Sequence, residues 1–505
     1  MASSSPKVVI VGAGVAGVTT AAWLVNNHVN DVFILEAQDY IGGRVKGVIV
    51  DGNNIDLGAQ FIHGREGNPA YNIAQKLGTV ASLSDDYQSM RLQNLPKEFR
   101  MSNGDKIDGD KVRHLLQFLD NELDIRFTKI QSGSTISDGE LFKQAYEKFL
   151  SPRRGSLSQA EVELYDSVYR WYSAYQKIDN ATADLKDVSA WGAGQYKVLP
   201  GDRFTNTHGG MARLLKEIRD LVPDRVFQLN SPVTNINWSS ANGVGADGKV
   251  VLTCKNGDLV EADHVVVTVS TGCMQASHEA MFTPPLPDAF QTALRHIGFG
   301  AIGKVFLKWE RPFWKLHDAD FFDSFELLWL DSHTIHIKSD RCQKKTRFGK
   351  PWWYGIQSVE TVLDQPNMLE FWLTLDQIEI VEELDDDEVI TVCHELLQHF
   401  LREYENIPKP VEVYRTKWLT NPYIRGTYSY PKCDICEEDW LHLGKSLPSP
   451  ENPRVLFAGE AYSIDFISTF HGALLSGLKA ADQILKVHGK QSSGSLIDLI
   501  GQSKN

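Results

Sequence analysis

Residues 7–36 open with Lys7-Val-Val-Ile-Val-Gly-Ala-Gly-Val-Ala-Gly17 and close with Val32-Phe-Ile-Leu-Glu36, and this stretch decides the fold. Lys7–Val11 is a short apolar run of the kind that forms a strand buried on both faces. The alanine-rich stretch Val15–Asn27 reads as a helix and Val32–Glu36 as a second strand. A right-handed crossover between them makes a parallel sheet with the connecting turn at its carboxyl edge. In that turn Gly12, Gly14 and Gly17, with Ala16 at the helix start, have the spacing at which the backbone turns tightly and approaches a pyrophosphate at a helix N-terminus. Glu36 ends the second strand where a carboxylate accepts hydrogen bonds from a ribose diol. A 2'-phosphate would be repelled there, which leaves FAD or NAD and excludes NADP.

The rest of the chain fits a globular protein of two or three domains: 505 residues, 42% hydrophobic and 23% charged, with 12 Trp, 16 Tyr and 23 Phe. A net charge of -14 argues against nucleic acid as a partner and suits a cationic ligand. The six cysteines are scattered and point to a reducing compartment; Cys433-Asp-Ile-Cys436 lacks the second pair a metal site would need. No metal is expected. Neither a signal peptide, nor a Ser-Lys-Leu ending, nor an apolar run of roughly 20 residues is visible. The expectation is a cytoplasmic protein, a monomer or weak dimer, without a membrane span.

From about residue 85 to 200 the periodicity is helical. Val112, Leu115, Leu116, Leu119 and Leu123 share one face, and Leu141, Phe142, Ala145 and Phe149 another. Ser158 with Glu161 predicts a capping box opening a helix through Tyr172, with Tyr165, Val168, Tyr169 and Tyr172 as its core stripe. Strands are predicted at Val226–Leu229, Val233–Trp238, Val250–Cys254 and Val265–Val269, completing the first sheet. Val305–Trp309, Leu327–Leu330 and Met368–Leu373 suggest a second sheet. Glu388–Leu401 is an amphipathic helix, and Asp385–Glu388 is read as its dipole-favoured acidic start. Lys338–Lys350 reads as a solvated basic insertion.

Glu36-Ala-Gln-Asp-Tyr-Ile-Gly-Gly-Arg44 follows the second strand, and this pairing of two glycines with an arginine resembles the flavin-containing amine oxidases. Gln38 and Tyr40 stand where that family carries basic residues. The resemblance continues through Asp56-Leu-Gly-Ala-Gln-Phe-Ile-His-Gly-Arg-Glu-Gly-Asn-Pro69, which is similar to the segment beneath the flavin ring in the polyamine-oxidising branch, with Phe61 in place of Trp. Gly209-Gly210-Met211, Ser231–Ile236, Val265–Val269, Phe457–Glu460 and Ser468–Gly477 extend it over nearly the whole chain. Ser270 stands where the family usually has proline.

The resemblance implies an FAD-binding Rossmann-like domain of the two-dinucleotide-binding kind (1–85, 201–290 and 415–490), an interleaved α+β substrate domain (86–200 and 291–414) and a tail (491–505). It implies noncovalent FAD, since Ala461 and Tyr462 follow Glu460 where monoamine oxidases carry a tethering cysteine. Gly12, Gly14, Ala16, Gly17, Glu36, Gly43, Arg44, Gly58, Ala59, Gln60, Phe61, Val233, Trp418, Gly459, Glu460, Ser468 and Thr469 would contact the cofactor, with Val233 at the adenine and Glu460 at the ribityl chain. Lys304 matches the lysine that holds a water against flavin N5. His63 would meet the substrate amine, and Tyr428 would form one wall of an aromatic cage. His471 is read as a structural partner. The implied reaction is hydride transfer from the amine α-carbon of a polyamine to flavin N5, imine hydrolysis to aldehyde and amine, and reoxidation by oxygen to hydrogen peroxide. The alternatives are an L-amino-acid oxidase, which would need an arginine for the substrate carboxylate, and a flavoprotein that binds a hydrophobic ligand without turnover.

Overall fold

In a computed structural model of the chain, residues 5–81, 98–127, 129–239, 248–315, 324–337 and 349–501 are described. The chain forms two compact units. One comprises Met1–Ser82, Gln195–Gly298 and Pro422–Asn505, the other Leu83–Gly194 and Phe299–Asn421.

In the first unit Val8–Val11, buried at every position, lies inside a six-stranded sheet. The strand order is Leu447–Ser449, Asn452–Phe457, His264–Val267, Val8–Val11, Val32–Leu35, Phe227–Gln228. Val11 pairs in parallel with Leu35 on one side and Val267 on the other. Helix Val15–Asn26 is buried on almost all sides, which is why it reads as apolar throughout and not as amphipathic. It packs against helix Phe470–Val487. Thr20 Oγ1 donates to the Gly477 carbonyl at 3.0 Å, and Trp23 Nε1 donates to Asp482 at 2.7 Å. The closing segment contributes Leu496 and Ile500 to the same core.

Only two of the four middle strands complete this sheet. Val233–Asn237 and Val250–Cys254 instead form a separate four-stranded sheet with Leu259–Ala262 and Phe282–Thr283. Their alternating burial shows why: one face is covered and the other is wet, whereas a strand inside a parallel sheet must be apolar on both. Ser270, at φ -60, caps helix Thr271–Met281 through the Cys273 amide, and its hydroxyl donates to the Ile424 carbonyl at 2.6 Å. Its φ is one that proline also adopts.

The second unit is built on a seven-stranded sheet in the order Glu412–Arg415, Gly303–Lys308, Gln365–Leu373, Ile356–Val362, Ser324–Leu328, Glu98–Met101, Lys106–Asp108. Val305, Leu307, Phe325, Val359, Leu369 and Phe371 on one face meet Val389, Val392, Leu396 and Phe400 of helix Asp386–Phe400. Asp385 is the N-cap of that helix and Asp386 pairs with Arg415 at 2.9 Å. Helices Arg113–Leu123, Asp138–Leu150 and Gln159–Asn180 bury the predicted leucine and phenylalanine faces. The Ser158–Glu161 capping box is present, but its helix runs past Tyr172 to Asn180, where Ala181 takes a left-handed conformation. Val168 and Tyr172 of the expected stripe are buried; Tyr165 and Tyr169 are only half-buried, and Trp171 takes the inward place.

All but the last two residues of the basic run Lys338–Lys350 lie outside the described residues. Among the described residues no helix is long and apolar enough to cross a membrane, and no group of three or more His, Cys, Asp or Glu could hold a metal ion.

Candidate active site

The cradle in the first unit is made by two glycine turns set back to back. Gly12, at φ 108, adopts a conformation L side chains rarely reach, and its amide donates to the Leu35 carbonyl at 2.9 Å. A Cβ at Gly17 would sit 2.1 Å from the Gly12 carbonyl oxygen, so helix and turn can close together only over a hydrogen. Gly14 differs: a Cβ there would meet nothing within 4 Å. That open space lies at the N-terminus of Val15–Asn26, where backbone N–H groups and the helix dipole attract an anion. Gly14 bridges Gly42, and Gly43, at φ 58, backs onto Gly14.

Glu36 is buried. One carboxylate oxygen accepts from the Ala13 amide at 2.7 Å and the other from the Gln38 amide at 2.8 Å. Burial pushes its carboxyl above the usual range despite these bonds. The Ser231 amide donates to the Glu36 carbonyl at 2.8 Å, bringing buried Val233 to this end of the cradle. Tyr40 holds the loop, its hydroxyl donating to the Gly43 carbonyl at 3.0 Å beneath the Lys46 ammonium.

Arg44 ties this N-terminal loop to the far end of the sequence. Its guanidinium donates to Glu460 Oε1 and to the Thr427 carbonyl, both at 2.8 Å. Buried Glu460 also accepts from Ser429 Oγ at 2.9 Å and from the Ser468 amide at 3.1 Å. Ser468 has φ 70, an uncommon conformation for a residue with a Cβ, and its hydroxyl donates to the Ser429 carbonyl. Thr469 then caps helix Phe470–Val487 through the Gly472 amide at 3.0 Å. Gly459, at φ 147, donates to Ser476. Gly58 and Ala59 run against the Arg44 carbonyl; a Cβ on Gly58 would fall 1.8 Å from it. Half-buried Gln60 follows, and Phe61 stands edge-on to Phe204, with ring centres 5.4 Å apart.

His63 packs edge-on to the same Phe204 ring, and its Nδ1 lies 3.1 Å from the Arg203 carbonyl. A carbonyl can only accept, so Nδ1–H is the donor in that contact. Asn68 donates to the His63 carbonyl at 2.9 Å and lies 3.5 Å from Nδ1 of buried His471. Burial, with His63 nearby, lowers the His471 imidazole to about 3, so it stays neutral. Tyr428 is half-buried at the start of strand Tyr428–Pro431.

Lys304 and Trp418 belong to the second unit. Lys304 is 3% exposed, and its Nζ lies 3.4 Å from Glu370 Oε1, with the Trp372 ring centre at 4.8 Å. Thr416 anchors its backbone in both directions at 3.1 Å, two positions before buried Trp418. Glu370 was missed in the sequence. A buried lysine in an apolar strand requires a counter-charge, and the lone acid in Met368-Leu-Glu-Phe-Trp-Leu373 was the available signal.

The cradle fits FAD. It offers an open helix N-terminus for the pyrophosphate, a carboxylate at the end of the second strand for a ribose, and a strained second helix start at Ser468–Thr469. The chain matches the family described as flavin containing amine oxidoreductase over residues 15–485. It is 28% identical to peroxisomal N(1)-acetyl-spermine/spermidine oxidase of Bos taurus, covering 96% of both chains. It is 25% identical to probable polyamine oxidase 5 of Arabidopsis thaliana, over 95% of this chain and 98% of that one. A solved putrescine oxidase shares its fold with a TM-score of 0.65 at 18% identity, covering 95% of this chain and 99% of the other. The chain therefore belongs to the flavin-containing amine oxidoreductases, enzymes that oxidise amines with a flavin, here FAD.

Proposed function

We propose that this enzyme oxidises polyamines (spermine, spermidine or their acetylated forms) with noncovalently held FAD. The observation that carries this reading is similarity over 96% of both chains to an enzyme named for acetylated spermine and spermidine. In the proposal the first unit holds the cofactor. When bound, FAD supplies the electron acceptor for the carbon next to the amine and returns the electrons to oxygen. His63 takes a proton from the substrate ammonium so that the reacting nitrogen is uncharged. Lys304 is assigned to orient a water at the reacting atoms, Tyr428 to wall the alkyl chain and Trp418 to pack beside the cofactor. Arg44 Nη1 donates to Glu460 and to the Thr427 carbonyl, which supports a role in holding the cofactor cradle together rather than in meeting substrate. We propose a cytoplasmic setting and a monomer or weak dimer there.

Oxygen uptake and peroxide formation with spermine, spermidine, the acetylated forms and a panel of L-amino acids test the proposal, with anaerobic bleaching of the yellow protein as the direct readout. Turnover is expected with polyamines, and mass spectrometry of the products will show which C–N bond is cleaved. Peroxide from amino acids alone would overturn the proposal.

A further inference from the structure

Residues 62–64 run antiparallel to residues 202–205 in the first unit. Ile62 and Thr205 exchange backbone bonds at 2.9 Å, and the Gly64 amide donates to the Asp202 carbonyl at 3.0 Å. Backbone groups alternate in direction along such a pair, so the carbonyl of His63, between those two residues, faces away from it and needs a donor from elsewhere. The chain then turns at once. Gly64 has φ 75, and a Cβ on it would fall 2.5 Å from the Leu199 Cβ, so only glycine fits and the turn has no side chain of its own to hold it.

Asn68 closes the turn. This fully buried side chain uses both ends of its carboxamide. Its Oδ1 accepts from the Ala70 amide at 2.9 Å and caps helix Pro69–Lys76, which settles which way the amide faces, because only the oxygen can meet an N–H. Nδ2 therefore lies on the other side, where it donates to the His63 carbonyl at 2.9 Å and the Gly64 carbonyl at 3.3 Å. Its remaining neighbour is His471 Nδ1 at 3.5 Å. An amide nitrogen of this kind cannot accept, so His471 Nδ1 is the acceptor and its Nε2 carries the proton. Burial, and then His63 nearby, keeps this imidazole neutral. Yet Nε2 is buried and, among the described residues, meets no hydrogen-bond partner. An unmet buried donor costs stability, and an apolar side chain against Phe466 would avoid that cost. The histidine is useful here through its other nitrogen, which steadies the Asn68 amide.

We infer that Asn68 is a positioning residue for His63, with His471 as the acceptor that keeps its amide in place. The histidine is then held at its carbonyl by Asn68, at Nδ1–H by the Arg203 carbonyl at 3.1 Å, and at its ring by the edge-on Phe204. Placement matters as much as presence, since a shift of about 1 Å in a reacting group can cost on the order of a hundredfold in rate. This rests on the assignment of His63 to the substrate amine and deepens it: Asn68 acts through His63 alone.

A double-mutant cycle on the FAD-loaded enzyme tests the inference, with spermine as substrate and with flavin content, visible spectrum and melting temperature recorded for each variant. Asn68→Ser keeps an oxygen that can cap the helix and removes the arm to His63. Its kcat/KM should fall at least about tenfold with the flavin spectrum unchanged. Introduced into His63→Ala, the same substitution should change kcat/KM by less than about twofold, because no imidazole is left to place. Losses that multiply in the double variant, or a wild-type kcat/KM in Asn68→Ser, would overturn the inference and leave the His63 assignment standing. If Asn68→Ser does not fold, His471→Leu and His471→Asn carry the test. The leucine variant should lose at least about threefold in kcat/KM, and the asparagine variant, whose oxygen can stand where Nδ1 stood, should return to within about twofold of wild type. Equal values in the two would overturn the inference. A wild-type kcat/KM in His63→Ala would overturn the His63 assignment itself, and the inference with it.

Discussion

Gly14 and Gly17 are three residues apart in one turn, yet a methyl group at each should have opposite effects. At Gly17 the added carbon meets the Gly12 carbonyl oxygen at 2.1 Å, backbone against backbone, with no rotamer to relieve it. Gly17→Ala should therefore destabilise even the flavin-free protein, by about 1–3 kcal/mol. At Gly14 the carbon enters space where, its own turn aside, no protein atom lies within 4 Å. Gly14→Ala should leave the melting of the flavin-free protein unchanged within about 0.5 kcal/mol. Its loss appears only with ligand, as an FAD affinity at least about tenfold weaker. Thermal melts with and without FAD separate the two; equal flavin affinity in Gly14→Ala would show that the space is not the pyrophosphate site. Both glycines were legible in the sequence because the constraint is local. The Arg44–Glu460 pair was not, since it spans 416 positions and each partner had another role assigned to it.

At the scale of elements, strand Gly303–Lys308 places Lys304 between two apolar neighbours. Lys304→Met keeps the length of the side chain and removes the ammonium beside Glu370. Stopped-flow reduction by spermine or reoxidation by oxygen should slow at least about tenfold with the yellow cofactor still bound. Wild-type rates in both half-reactions would refute the assignment. The strand itself was readable from its apolar residues. The partner of its lysine was not, because Glu370 lies on another strand and only pairing register brings it beside Lys304. The same limit explains Val233–Asn237 and Val250–Cys254: periodicity identified the strands, but the sheet each joins depends on partners far away in sequence. Ser270 shows the opposite case, in which one departure from a pattern is settled by a side chain that caps the helix it begins.

Across the whole molecule, buried histidines tie stability to pH. Burial lowers His264 to about 4 and His471 to about 3, below the ordinary imidazole value, so between these values and about 6.5 the unfolded chain binds more protons than the folded one. Their contribution is complete above about pH 6.5 and is lost as pH falls towards 4 and then 3. Glu36 and Glu326 act in the other sense, since burial raises their carboxyls. The melting temperature should fall as pH drops from 7 to about 4.5. His264→Asn, whose amide can still donate to the Pro453 carbonyl, should flatten that fall; an identical slope would assign it to other groups.

Strand Asn452–Phe457 lies inside the first unit's sheet, beside a strand from residues 264–267, and helix Phe470–Val487 covers the helix that starts at residue 15. A ribosome that has made four-fifths of this chain has therefore not yet made the pieces that close its first sheet. The helix behind the glycine turn must wait for a partner 457 positions further on before it is covered. A chain that stops upstream of that helix is expected to hold no cofactor, so flavin loading reports that synthesis has passed it.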